Sequence, residues 1–355
     1  MRLPVPLSRF RRLAACLLLA PLLLPDAGRA AGWTDALGQR IDAIDRGSPG
    51  TLGVYVKRLD NNEAYSHGAD KRWYLGSTVK VPVAVAVLQE VDAGRLALSE
   101  RLVLAEEDKV DGSGQLVWSA VGTGYTVDSL ITRMLTVSDN TAANLLIRRI
   151  GIDTLNRSAR AAMGAKSFER FTDFEQIRYD VYAELHPDAR KLSNRQLVEI
   201  AAAPVGPRRL EALQRALKVD DSDLRAKTFD EAYDRYYAHG LNQATLEGYG
   251  AMLEKLVRGQ LLSPASTKRL FTAMKFGTPG NYRLEAGLPK SVKFMHKTGT
   301  QYRRACHVGV VNPQDGGARA IVVATCAADL DDQKEAGGVF QQVGRAISEV
   351  LLPAR

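Results

Sequence analysis

The stretch Trp73-Tyr74-Leu75-Gly76-Ser77-Thr78-Val79-Lys80-Val81-Pro82-Val83 orders the rest of the chain. An apolar approach and a glycine lead into a serine, and a helix-forming run from Val83 to Val91 follows. A helix that opens at Ser77 puts Ser77 and Lys80, three positions apart, on one face, where the lysine nitrogen can reach the serine hydroxyl. That hydroxyl is a poor nucleophile at neutral pH and needs an adjacent base. Lysine serves as the base only if burial or nearby positive charge lowers its pKa, because an unperturbed lysine is protonated. A Ser-x-x-Lys string occurs about once by chance in a chain of this size. Taken alone, it reads better as a helix start with an exposed lysine. Its meaning depends on what else the chain carries.

Upstream, the first thirty residues read as an export signal. Arg2, Arg9, Arg11 and Arg12 form a basic start, and Leu13 to Leu24 is an apolar segment too short to span a bilayer. Small residues at Gly28, Ala30 and Ala31 place the expected cleavage near Ala30. Cys16 precedes most of the apolar run instead of ending it, so it reads as signal sequence and not as a lipoprotein anchor. The expected mature protein is periplasmic or secreted, with no membrane anchor, and monomeric. Residues 1–30 carry five arginines and one acid, a net of +4; subtracted from +8 for the whole chain, this leaves +4. So mild a charge, mixed with acids, gives no argument for nucleic acid. With 45% hydrophobic residues the remainder can bury a large core.

Downstream of a helix at Trp33–Arg46 come an alternating strand at 52–57, a turn at Asp60-Asn61-Asn62 and a short strand near Ala64-Tyr65-Ser66. From Ser77 to about Phe276 the pattern is mostly helical, with starts at Thr126, Asn140 and Ser263-Pro264 and stops at Gly151 and Gly259. Strands return at 291–300, 305–311 and 319–327, and a helix from about Asp332 to Leu352 closes the chain. The expected fold is α/β: an antiparallel sheet built from both ends of the chain and flanked by helices, with an inserted all-α lobe. The expected division is an α/β lobe of residues 31–68 and 277–355 and a helical lobe of residues 69–276. A turn at Asn312–Gly317 brings Cys306 opposite Thr325 or Cys326, so a cross-strand disulfide and two buried thiols are both open readings.

Two more short motifs follow Ser77-x-x-Lys80. Ser138-Asp139-Asn140 sits before a helix, and Lys297-Thr298-Gly299-Thr300 ends the strand begun at Val292. Each is common singly, but three in this order, on a helix start, a loop and a strand, are not. Acyl transfer needs a nucleophile, a base, a proton donor for the leaving group and a strand edge to align a peptide-like substrate. The chain has no Gly-x-Ser-x-Gly elbow, no His-Glu-x-x-His and no phosphate-binding Gly-x-x-x-x-Gly-Lys, and its five histidines are scattered. Neither a metal nor a cofactor is expected.

With these motifs the sequence resembles the class A β-lactamases, within the wider penicillin-recognising serine hydrolases. Thr126-Val127-Asp128-Ser129-Leu130 leading into Ser138–Asn144 looks like that family throughout, as does Leu253–Met274, and Ser77 and Ser138 stand 61 positions apart, near the family's interval. The resemblance implies that Ser77 is acylated, that Lys80 helps remove its proton, and that Ser138, held by Lys297, relays a proton to the departing nitrogen. It implies that Asn140 binds the substrate's side-chain amide and that Thr298, Gly299 and Thr300 form the carboxylate-binding strand. The N–H groups of Ser77 and Thr300 would make the oxyanion hole. Arg303 and Arg304 are candidates for a second carboxylate contact, of which Arg304 is the choice. The implied substrate is a β-lactam or a peptidoglycan stem peptide.

The chain also departs from the family. The candidate for the water-activating glutamate is Glu175, 37 positions after Ser138 on an expected loop, with Arg170 where an arginine belongs. However, Gln176 replaces the usual proline, Tyr179 the usual asparagine, and Asp173 the loop's second arginine. A charged, helical insertion follows at about 180–240, with helices expected at Leu192–Ala202, Pro207–Leu217 and Phe229–Ala238; its Tyr233, Tyr236 and Tyr237 read as helix packing. The first reading is a class A-type β-lactamase. The alternatives are a peptidoglycan D,D-peptidase or esterase-like relative, and a sensor that is acylated without turnover.

Overall fold

The computed structural model of the protein describes Met1 and residues 32–275, 283–314, 317–332 and 334–352. The expected leader, with Cys16, and residues 315 and 316 of the expected turn lie outside them.

Five antiparallel strands form the main sheet: β1 (Thr51–Arg58), β2 (Ala64–His67), β3 (Phe294–Gln301), β4 (Arg304–Val311) and β5 (Ile321–Ala328). Their spatial order is β2-β1-β5-β4-β3. The amino-terminal β1 pairs along its whole length with the last strand, from Thr51 opposite Ala328 to Arg58 opposite Ile321. The sheet is thus assembled from both ends of the chain, as its patterning predicts. Successive side chains on a strand point to opposite faces, and β5 divides accordingly. Ile321, Val323 and Ala327 enter an outer core with Leu37 and Ile41 of the Trp33–Gly47 helix and Phe340, Val343 and Ile347 of the closing helix Glu335–Leu351. Val322, Ala324 and Cys326 enter the inner core shared with the helical region. Cys306 and Cys326 are register partners on β4 and β5 and are disulfide-bonded, which decides between the two open readings. Cys306 Sγ lies 3.3 Å from the carbonyl oxygen of Tyr74, directly under the approach to Ser77.

The run after Ser77 is buried on every side, from Val81 through Leu88, as suits a helix that is apolar all round. It does not open as an α-helix at Ser77. Gly76–Val79 forms a 3-10 turn, and the α-helix proper is Lys80–Asp92. Two glycines let this turn meet strand β3. Gly76 has φ +53°, and a Cβ there would fall 2.8 Å from the Thr300 nitrogen; a Cβ at Gly299 would fall 2.2 Å from the Leu75 oxygen. No side chain fits at either position without parting the backbones that frame Ser77.

The insertion helices appear at Asn194–Ala201, Pro207–Leu217 and Phe229–Ala238. Before them stands a helix the sequence reading took for loop, Phe174–Leu185. Asp173 caps it, accepting from the Gln176 N–H at 2.7 Å, so Asp173-Phe174-Glu175-Gln176 is a helix start of ordinary composition.

Candidate active site

Ser77, Lys80, Ser138, Asn140 and Lys297 come together from the 3-10 turn, the helix that follows it, the loop before the Asn140–Ile150 helix, that helix itself and β3. Lys80, in the first turn of the central helix, reaches Ser77 Oγ at 3.0 Å. It also contacts the Ser138 carbonyl oxygen at 2.5 Å, Ser138 Oγ at 3.0 Å and Asn140 Oδ1 at 2.6 Å. Lys297, on β3, reaches Ser138 Oγ at 3.1 Å from the other side. Ser138 is held for this in a left-handed conformation, φ 59°, costly for a residue with a Cβ. The neighbouring Asp139 stabilises the loop. Its carboxylate accepts from the N–H groups of Ala142, Gln115 and Leu116.

These contacts define what Lys80 can do. The Ser138 carbonyl can only accept. Asn140 is oriented by its Nδ2, which donates to the Asp111 oxygen at 2.7 Å, so its Oδ1 also accepts from Lys80. Two lysine N–H bonds are thereby committed. A neutral amine then has its lone pair left for a hydroxyl proton, and Ser77 Oγ–H is within reach. The neutral state is favoured because burial, reinforced by the Lys297 charge, pushes the Lys80 pKa well below the ordinary lysine value. Burial, with Arg283 beside it, lowers Lys297 to about 7. Asn140, expected to bind substrate, has both ends of its amide engaged by Lys80 and Asp111, and it still lines the cavity next to Ser77.

Thr298, Gly299 and Thr300 lie on β3, an edge of the sheet. The arginine beside them is not Arg304. Arg304 pairs with Asp329 at 2.9 Å and stacks over the Tyr237 ring at 4.5 Å, on the far side of Tyr74. Its register partner is Gln301, so it shares the face of that cavity residue, but Asp329 and the Tyr237 ring hold its guanidinium beyond Tyr74. Arg303 instead meets Asp329 and Asp234. The arginine at the strand is the buried Arg283, which sequence reasoning did not single out. Its Nη1 donates to the carbonyls of Gly299 and Cys306, each at 3.0 Å, and its Nη2 to Thr300 Oγ1 at 2.8 Å. Nothing in the local sequence marks it, since a distant segment brings it there.

The structure does not bring Glu175 to Ser77 or Lys80. In the Phe174–Leu185 helix, Phe174, Ile177 and Arg178 share the face that lines the cavity beside Ser77. Phe174 is fixed by its N–H, which donates to Asn144 Oδ1 at 2.9 Å, and the Lys80 nitrogen lies 4.6 Å from its ring centroid. Glu175, one residue and about 100° on, faces away. Burial raises its pKa to about 7, partly opposed by the polar groups of Asn194 and Tyr179 around it. Among the described residues no hydrogen bond or ion pair joins it to Lys80. The expectation put Glu175 on a loop; the segment is instead a helix, and it is Phe174 that the helix turns to the cavity.

The cavity beside Ser77 measures about 110 Å³ and is walled by Tyr74, Ser113, Arg178 and Gln301 among others. Arg178 is paired with Asp111 at 2.5 Å. Behind this wall stands the insertion helix Phe229–Ala238. Tyr233 O–H donates to Gln301 Oε1 at 3.2 Å, Tyr237 O–H to the Tyr302 oxygen at 2.6 Å, and Tyr233 stacks on Tyr302 with ring centroids 5.0 Å apart. All three insertion tyrosines are buried, as the packing reading expects.

A serine hydrolase assisted by lysine, with no histidine at its nucleophile, is the class that this fold and site define. The model of the family described as the β-lactamase enzyme family matches residues 36–351. The chain belongs to that family, and to its class A type. It is 25% identical over 350 residues to β-lactamase OXY-2 of Klebsiella oxytoca, covering 97% of this chain and 99% of that one. A structure of an ancestral class A β-lactamase superposes with TM-score 0.64 at 27% identity, covering 88% of this chain and 99% of the other. The structure of PBP-A superposes with TM-score 0.66 at 22% identity, covering 90% and 96%, which is a likeness of fold.

Proposed function

We propose that this serine β-lactamase works through an acyl-enzyme on Ser77, with Lys80 as the base for both halves of the reaction. The Ser77 Oγ–H proton passes to neutral Lys80 as Oγ bonds to the lactam carbonyl carbon. The C–N bond then breaks, and the nitrogen takes a proton from Ser138 Oγ, which recovers one from Lys80 while Lys297 holds it in place. The N–H groups of Ser77 and Thr300 stabilise the developing oxyanion, worth about 3 kcal/mol per donor. Lys80, neutral again, is the one base hydrogen-bonded to Ser77 among the described residues; it takes a proton from water as the water oxygen bonds to the ester carbon, and returns it to Ser77 Oγ as the C–Oγ bond breaks and the product acid leaves. A substrate carboxylate falls to Thr298, Thr300, Lys297 and Arg283. The observation that carries this reading is the Lys80 nitrogen 3.0 Å from Ser77 Oγ with its other contacts committed.

A second reading, a penicillin-binding peptidase that acylates readily and releases slowly, draws on Phe174 standing at Lys80, which among the described residues is hydrogen-bonded to no carboxylate. The leader-like first thirty residues support action outside the cytoplasm, and no helix among the described residues is long and apolar enough to cross a membrane. The deciding experiment mixes the protein with a chromogenic cephalosporin and follows colour and intact mass together. Rapid turnover without a lasting adduct supports the lactamase reading. An adduct on Ser77 that persists while colour stops supports the peptidase. No adduct and no colour, or an unchanged reaction in Ser77→Ala, would overturn both.

A further inference from the structure

Two buried histidines outside the reacting group form one hydrogen-bonded line. His307 on β4 and His296 on β3 meet through His307 Nε2 and His296 Nδ1, 2.9 Å apart. One end of the line is anchored by the Leu284 N–H, which donates to His307 Nδ1 at 3.2 Å. At the other end His296 Nε2 stands 3.5 Å from Glu285 Oε2.

The direction of this line is forced. A backbone N–H can only donate, so His307 Nδ1 accepts and its proton sits on Nε2. That N–H donates to His296 Nδ1, which places the second proton on His296 Nε2, aimed at the carboxylate. Each ring is therefore neutral and each tautomer fixed. Burial agrees, holding His307 well below its ordinary pKa and His296 at about 4. The Phe294 ring lies flat against His296, 5.0 Å away with 13° between the planes, which leaves the imidazole no room to turn.

Both ends of the line fall on the same element: His307 is hydrogen-bonded to the Leu284 N–H, and His296 Nε2 approaches the Glu285 carboxylate to 3.5 Å. Leu284 and Glu285 open the short helix Leu284–Gly287, and the residue before it is Arg283. Arg283 in turn holds Thr300 Oγ1 and the Gly299 carbonyl. We propose that His296 and His307 are positioning residues: they clamp the Leu284–Gly287 helix to the sheet so that Arg283 keeps Thr300 and its own charge in register for the substrate's carboxylate. This rests on the carboxylate-binding role of the strand given above. The clamp acts on the Arg283 charge and the Thr300 hydroxyl, whereas the Thr300 backbone that serves the oxyanion is held by its own pairing with Ala305 on β4, so the effect falls on binding of the carboxylate and not on the acylation step.

The test compares a chromogenic cephalosporin bearing its free carboxylate with the methyl ester of the same compound. His307→Leu is expected to lower kcat/KM for the acid about tenfold through KM, with kcat and all ester kinetics near wild type. His307→Asn, which keeps an acceptor at the position of Nδ1 for Leu284, should recover most of the loss. Arg283→Gln should give the same selectivity change, and the double variant His307→Leu/Arg283→Gln should be no worse than Arg283→Gln alone, since the two act in one chain. Equal losses for acid and ester, or losses that multiply in the double variant, would overturn the clamp. Should His307→Leu fail to fold, Glu285→Ala at the exposed end tests the same line, with an expected acid-specific loss of about threefold; no acid-specific change there counts against it. Wild-type protein that reacts with neither compound would instead remove the underlying functional reading.

Discussion

The Lys80 nitrogen lies 4.6 Å from the centroid of the Phe174 ring, while the next residue, Glu175, stands about 100° further round the same helix. One helical step separates an apolar lid on the catalytic base from a carboxylate that could have shared its work. The contrast gives a direct test. Phe174→Glu places a carboxylate where the ring now lies, next to the position of a water approaching acyl-Ser77. The lifetime of the acyl-enzyme, read by intact mass after a pulse of penicillin, should shorten by about 100-fold, the ordinary yield of a placed general base. An unchanged lifetime would mean that Lys80 already supplies all the base catalysis the site can use.

Glu175 itself should be dispensable for both chemical steps. Glu175→Gln is expected to keep turnover within about twofold of wild type. Its effect lies in stability. Burial raises the folded-state pKa from 4.5 to about 7, so the folded protein prefers the protonated form. The stability tied to that proton is present below about 4.5 and lost as the pH rises through about 7. Denaturant unfolding should therefore show Glu175→Gln more stable than wild type at pH 8 and equal to it at pH 4. A drop in turnover with the acyl-enzyme accumulating would return Glu175 to the mechanism.

The two buried lysines predict the pH profile. Lys80 must be neutral to accept the serine proton, so kcat/KM falls on the acid side as that amine protonates. Lys297 at about 7 loses its charge above that pH, and with it attraction for a substrate carboxylate. For a carboxylate-bearing substrate kcat/KM should bend downward above about pH 7, and the bend should be absent with the methyl ester. Because a bound carboxylate favours the charged lysine, the same limb in kcat should lie at higher pH. Identical alkaline limbs for acid and ester would exclude Lys297 as their source.

Cys306 and Cys326 close a loop with a sequence separation of 20 in the middle of the sheet. Removing the bond in Cys326→Ala should lower unfolding stability by about 3 kcal/mol, the value for a loop of that size. Cys326→Ala leaves Cys306 Sγ beside the Tyr74 carbonyl, now as a thiol able to donate to it, so the acylation rate should stay near that of the oxidised protein. Chemical denaturation and the acylation rate of the oxidised and variant proteins measure the two separately.

Local chemistry made much of this molecule legible. The alternation at 52–57, the apolar run after Lys80 and the Ser-Asp-Asn and Lys-Thr-Gly strings each follow from period and residue type, and they fold as a strand of the sheet, the buried central helix, a loop and the edge strand. The misreadings share another cause. Arg304 and Glu175 were placed by position along the chain, whereas Asp329 and the Tyr237 ring draw Arg304 beyond Tyr74 and a helix turns by about 100° at each residue. The Asp173-x-x-Gln176 cap was readable as a helix start and would have shown Glu175 one helical step off the face that Phe174 presents to the cavity. Arg283 and the two histidines left no such trace, because their meaning comes from contacts among strands and a helix that no local pattern specifies.

The tyrosines of the Phe229–Ala238 helix have an effect beyond packing. Tyr236 and Tyr237 sit against Tyr74, Tyr233 and Tyr237 hold Gln301 and Tyr302, and Phe229 meets Tyr182 of the Phe174 helix. Two lips that loops would leave to move independently are thereby fused into one rigid aperture. Such an opening selects by fixed size, as a gauge does, and a guest entering it surrenders its own freedom while the host has little left to lose.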